Sequence, residues 1–112
     1  MKSRYQRLSQ QQEKRVEKET GARRQKASGA TLFAKGDNRL LGELRVEAKV
    51  TTAKSFTLKV SDIEKIRSEA YSGGLEDWVL QIDFNRPGGV NRRVAVIDWY
   101  DYLEFLELKR GK

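Results

Sequence analysis

The chain has 112 residues, with 23 Lys/Arg against 16 Asp/Glu and a net charge of +7; that length suits one domain with a single modest core. The excess is local: positions 1–36 hold ten Lys/Arg and three Glu, whereas 37–112 hold thirteen of each sign. Such asymmetry points to a polyanionic partner, most often nucleic acid, with a solvated basic tail as the plainer alternative. The chain has no Cys and no His, which removes disulfide scaffolds, zinc fingers and Cys or His nucleophiles and leaves hard, oxygen-bound cations such as Mg²⁺ or Mn²⁺. The longest apolar run is Val94–Ile97, and Met1-Lys2-Ser3-Arg4 leads into a polar stretch. Neither a membrane span nor a signal peptide is therefore expected, and the predicted location is the cytoplasm, the host's if the source is viral.

Residues 3–20 favour helix through Gln, Glu, Lys and Arg, with only Tyr5, Leu8 and Val16 as apolar positions. So thin a stripe leaves 1–12 as a segment expected to be mobile or to contact a partner, and Gly21 is the expected stop. From 22 to 36 basic and small residues alternate, a short strand or loop ending in Thr31-Leu32-Phe33. A hairpin follows: Leu40-Leu41, a Gly42-Glu43 turn, then Leu44–Thr51, in which Leu44, Val46, Ala48 and Val50 face one side and Arg45, Glu47, Lys49 and Thr51 the other. Ser55–Val60 reads as a further short strand, and Ser61-Asp62-Ile63-Glu64 as a capping box opening a helix that ends at Gly73-Gly74.

Trp78–Phe84 and Arg92–Ile97 are predicted strands joined through Arg86-Pro87-Gly88-Gly89, and Asp98 is the predicted cap of a last helix bearing Trp99, Tyr102, Leu103 and Leu106. Trp78, Phe84, Trp99, Tyr102 and Phe105 are expected in the core or a dimer interface rather than stacked on bases. Phe56, Leu58, Ile63 and Ile66 suit an interface or an ordinary core equally. The order predicts a single α/β domain over 1–112, a mixed central β-sheet flanked by helices.

The stretch that carries chemistry is Gly36-Asp37 followed by Glu47-Ala48-Lys49. Glu47 and Lys49, two apart on a strand, point the same way at about 7 Å along it, and Asp37 begins the opposing arm. Two carboxylates and a main-chain carbonyl, that of Ala48, suit Mg²⁺, with Mn²⁺ able to substitute. A cation so held acidifies a bound water and screens a scissile phosphate, while Lys49 holds that water or offsets transition-state charge. A bare Glu-x-Lys is otherwise an ordinary ion pair on a strand edge, worth ~0–1 kcal/mol; the upstream Gly-Asp at hairpin spacing argues for the metal.

These residues resemble the PD-(D/E)xK nuclease core, with Gly36 in place of the motif's Pro. A Glu-bearing first helix, a basic Ala-Ser-Gly loop, the Asp and Glu-x-Lys hairpin, a Ser-Asp-capped helix and the strand Trp78–Phe84 follow the order of archaeal-type Holliday-junction-resolving endonucleases and their phage relatives. The likeness covers about residues 10–108. It implies a restriction-endonuclease-like core and a homodimer that binds four-way DNA junctions by shape and cuts them by paired nicks. It also implies a first-helix glutamate as a further catalytic and metal ligand: Glu13 first, because Val16 turns that face inward, then Glu17, then Glu19. Ser28 falls in a loop that touches the cleaved strand, or is merely a turn. Arg23, Arg24, Lys26 and Lys35 are the expected phosphate contacts, with Lys14 and Arg15 either contacts or solvated. The alternatives are a nuclease of the same type acting on flaps or duplex, and a non-catalytic basic nucleic-acid-binding module.

Overall fold

The computed structural model describes residues 3–24, 37–40, 43–72, 74 and 77–111, with positions 37 and 40 described in their backbone only. In chain order the elements are α1 (Arg4–Thr20), β1 (Arg23–Arg24), β2 (Asp37–Leu40), β3 (Leu44–Thr51), α2 (Val60–Ser72), β4 (Asp77–Phe84), β5 (Arg92–Val96) and α3 (Trp99–Lys109). The five strands form one mixed sheet in the order β1-β2-β3-β4-β5. Every neighbouring pair is antiparallel except β3 and β4, which run parallel across the α2 crossover. The described residues thus form a mixed α/β domain with three helices. Among the described residues no helix is long and apolar enough to cross a membrane.

Helix α1 is fixed at both ends by its own sequence. Ser3 and Gln6 close a capping box, each side chain accepting the other's backbone N–H, and Gly21 turns left-handed at φ 80° to donate its N–H to the Glu17 carbonyl. The helix has little apolar surface and docks instead through buried polar groups. Gln12, fully buried, donates Nε2 to the Lys49 carbonyl at 2.7 Å and to the Gln81 carbonyl at 3.2 Å. Asn38 Nδ2 donates to the carbonyls of Glu13 and Ala22. Arg93 completes the attachment: it forks onto Glu19 at 2.7 and 2.9 Å and donates Nε to buried Asp83 at 3.1 Å. The hydrogen bond from Arg93 holds the Glu19 carboxyl below its usual range, and Glu19 in turn raises the guanidinium.

Two small apolar clusters cover the sheet. Val16, Ala22 and Val46, with Leu44 and Val79 against them, lie under α1; Ile66, Ala70 and Trp78, with Ile63 against them, lie under α2. The central strand β3 is consequently buried on both faces, Arg45 and Glu47 included. The alternation predicted for it holds, but its polar side is covered rather than solvated, and Arg45 makes a short ion pair with Glu69 of α2.

Three expectations are corrected. Residues 55–59 have no regular structure, and α2 begins at Val60: both edges of β3 are taken by β2 and β4, and Leu58 and Val60 are exposed, so the alternation has nothing to bury against. Ser61 is not the cap. Asp62 Oδ2 accepts the Lys59 N–H at 3.0 Å and the Asp62 N–H reaches the Lys59 carbonyl, which starts the helix two residues sooner. Finally, Trp99, Tyr102 and Phe105 stay out of the core: α3, capped by Asp98 as predicted, buries none of its side chains. Ile66 joins the core, with Ile63 packed beside it.

Candidate functional site

The hairpin of β2 and β3 pairs Asp37 with Glu47, Asn38 with Val46, Arg39 with Arg45 and Leu40 with Leu44. Residues opposed across an antiparallel pair share a face of the sheet, with Cα atoms about 4.5–5.5 Å apart. Position 37 therefore stands directly across from Glu47. Beyond that pair β3 runs on through Ala48 and Lys49 without a β2 partner among the described residues.

Glu47 is a carboxylate in an unusual place. Its side chain is 11% exposed on a central strand, and its charged partner among the described residues is Lys49, whose Nζ lies 3.5 Å from Oε1. That separation is too long for a good hydrogen bond. A buried anion so loosely compensated calls for a further cation. The donor set available, Glu47, the Ala48 carbonyl and position 37, consists of hard oxygens and fits Mg²⁺ or Mn²⁺. Among the described residues, which do not include the Asp37 side chain, no group of three acidic side chains gathers in a way that would hold a metal.

Glu13 approaches this region from the far side. Helix α1 packs on the face of β3 that carries Val46, opposite Glu47, yet Glu13 lines a cavity of about 240 Å³ together with Ala48 and Lys49. Its Oε2 accepts the Ser9 hydroxyl at 3.1 Å. The other two glutamates are engaged elsewhere: Glu17 accepts the Arg24 N–H at 3.0 Å, and Glu19 pairs with Arg93. Arg23 and Arg24 form β1, exposed at the sheet edge next to β2. Arg15 and Lys14 are both exposed, with Arg15 Nη2 3.5 Å from buried Asp83. Lys26, Ser28 and Lys35 lie outside the described residues.

Comparison with protein-family models, curated proteins and solved structures finds no match. The reading of the site therefore stands on its own residues.

Sequence reasoning missed the polar residues that hold α1 over β3. Gln12 offered a signal: it continues the spacing of Leu8 and Val16 on the helix's one inward stripe. Asn38, Gln81 and Asp83 offered none, because polar residues on strands ordinarily face solvent.

Proposed function

We propose that this chain is a divalent-metal-dependent DNA endonuclease with a restriction-endonuclease-like core that resolves four-way junctions by paired nicks. The observation that carries the reading is the register of the hairpin: it sets position 37 across from buried Glu47, and Glu47 beside Lys49. The core assignment draws on the element order, in which the motif-bearing hairpin follows a Glu-bearing helix and leads through α2 into the parallel strand β4.

Asp37, Glu47 and the Ala48 carbonyl would hold the cation, with Glu13 reaching in from α1. A divalent ion bound there supplies an acidified water and compensates the charge of the scissile phosphate. Lys49 positions the water or takes up charge on the phosphoryl oxygens as a point cation. The basic N-terminal third, Arg23 and Arg24 included, engages phosphates and sets the strand's register without reading bases.

Helix α3 supports a homodimer. Trp99, Tyr100, Tyr102, Phe105 and Leu108 are between 46% and 75% exposed. Of these, Trp99, Tyr102 and Phe105 fall within about 120° of the helix circumference, and at about half of the 150–250 Å² that an aromatic side chain offers they present a contiguous apolar stripe of roughly 300 Å² per protomer. The charges suit an antiparallel two-fold pairing, since Asp98 and Asp101 lie at one end of α3 and Lys109 and Arg110 at the other. Burial, followed by Asp77, Asp98 and Glu104 nearby, pushes the Asp101 carboxyl above its usual value, an acidic end that a partner's cations would relieve. Sedimentation should report twice 12.9 kDa, and Trp99→Glu with Phe105→Glu should return a monomer that nicks without pairing its cuts. A wild-type monomer at micromolar concentration would remove the paired-nicking mechanism.

The deciding experiment incubates the chain with an immobile four-way junction, a flap and a linear duplex, with and without Mg²⁺. Metal-dependent, symmetric nicking of the junction is expected. Cutting of flap or duplex instead moves the substrate within the same chemistry, and binding without any cutting leaves only a nucleic-acid-binding module.

A further inference from the structure

Residues 37–112 are electrically neutral in sum, yet the fold sorts their charges by face. On β5, Arg93 points to the α1 side and is neutralised by Glu19 and Asp83. Its neighbour Arg92 belongs to the opposite face, in a row with Phe84 and Thr51, beside the row of Val94, Ile82 and Lys49. There Arg92 lines a groove of about 300 Å³ with Lys54, Phe84, Arg86, Val90 and Val94. Its rim carries three cations and no acid. None of Lys54, Arg86 and Arg92 has a carboxylate partner among the described residues, although Arg15, Arg45 and Arg93 do.

The turn that shapes one wall is built to hold an arginine in place. The Arg86 N–H is fixed by Asn91 Oδ1 at 2.9 Å, and the Gly89 N–H returns to the Arg86 carbonyl at 3.0 Å. A Cβ at position 89 would lie 2.9 Å from Arg86 Cβ, so glycine there leaves room for that side chain. The Arg92 guanidinium is steadied by the Asn91 carbonyl at 3.2 Å. By strand spacing and rise, Arg92 stands about 12 Å from Lys49 on the same sheet face, roughly three to four base steps of duplex.

We infer that this groove is a second DNA-binding site, which grips the phosphodiester backbone of a substrate arm beyond the point of cleavage. Lys54, Arg86 and Arg92 contact phosphates, and Phe84 with Val90 and Val94 lines the groove floor against the sugar edge. The inference rests on the nuclease reading for its choice of DNA, but its test does not require cleavage.

Binding of a fluorescein-labelled four-way junction to the full chain, read by anisotropy in EDTA between 50 and 200 mM KCl, decides it. The triple variant Lys54→Gln, Arg86→Gln, Arg92→Gln should bind at least tenfold more weakly at 100 mM salt, with a log–log salt slope shallower by about two to three, one per lost phosphate contact. Gly89→Ala removes no charge but displaces Arg86, and its slope should fall by about one. An equal loss of charge at Lys59, Lys65 and Arg67, changed to Gln together, should leave the slope near wild type. Wild-type affinity and slope in the groove variants, or an equal loss in the control, overturns the groove. A chain that binds through these residues and never cuts overturns the nuclease reading alone.

Discussion

Asp37→Asn and Glu47→Gln are each expected to abolish Mg²⁺-dependent junction cleavage while keeping, or slightly raising, junction affinity. On the proposed reading the two effects separate, because the carboxylates would serve the metal and not the DNA. Each substitution removes a charged oxygen ligand, and the cation's contribution of several kcal/mol to transition-state charge corresponds to about three orders of magnitude in rate. Phosphate binding gains from the loss of a nearby anion. Folding is spared, since Glu47→Gln keeps the volume of a buried side chain while removing the cost of its charge. Lys49→Ala should cost about 10²–10³ in rate, as for a lost transition-state donor. Glu13→Gln should fall between these and Glu17→Gln, which leaves cleavage intact because Glu17 is occupied by the Arg24 N–H. The measurement is single-turnover cleavage beside anisotropy binding in EDTA. Cleavage surviving in both Asp37→Asn and Glu47→Gln would place the chemistry elsewhere in the chain.

Much of the architecture was legible because local rules and tertiary demands agreed. The β3 alternation, the Asp98 cap, the Gly21 stop and the Pro-Gly turn before β5 are each decided within a few residues. The arms of the candidate hairpin were legible too, but not their register: a two-residue Gly42-Glu43 turn would pair Leu41 with Leu44, whereas Leu40 pairs with Leu44, and that shift of one is what sets position 37 opposite Glu47. What escaped depended on distant partners. The stretch Ser55–Val60 alternates like a strand, but only the sheet order reveals that both sides of the preceding strand β3 are already paired. The aromatic residues of α3 read as core or dimer interface, and only the fold shows that they stay out of the core. Gln12, Asn38 and Asp83 look like surface residues until α1 is laid across β3, where they supply the hydrogen bonds that its short apolar stripe cannot replace.

The joint between α2 and the hairpin yields the second large expected effect, and it is one of stability. Glu69 engages both strands that carry the site: its carbonyl accepts Arg39 Nη2 at 3.1 Å, and its carboxylate pairs with Arg45. Arg45 is 5% exposed at its side chain and Glu69 36%, so the two partners are not equivalent. Glu69→Ala removes a carboxylate paired with a buried guanidinium and should cost about 2–4 kcal/mol, somewhat below a fully buried pair because water reaches Glu69 and Arg45 has further interactions. In a domain of this size that lowers the melting temperature by roughly 10–20 °C. Arg45→Met instead removes the buried charge itself, fills the same space beside Trp78, and leaves a carboxylate that solvent can take up; its cost should stay near or below about 1 kcal/mol. Thermal denaturation followed by circular dichroism compares them directly. If Glu69→Ala proves no worse than Arg45→Met, the ion pair is not what fastens α2 to the hairpin. If the order is as expected, Arg45→Met should also cut a junction at near the wild-type rate, because the residue two positions before Glu47 serves the packing of its strand and takes no part in the chemistry.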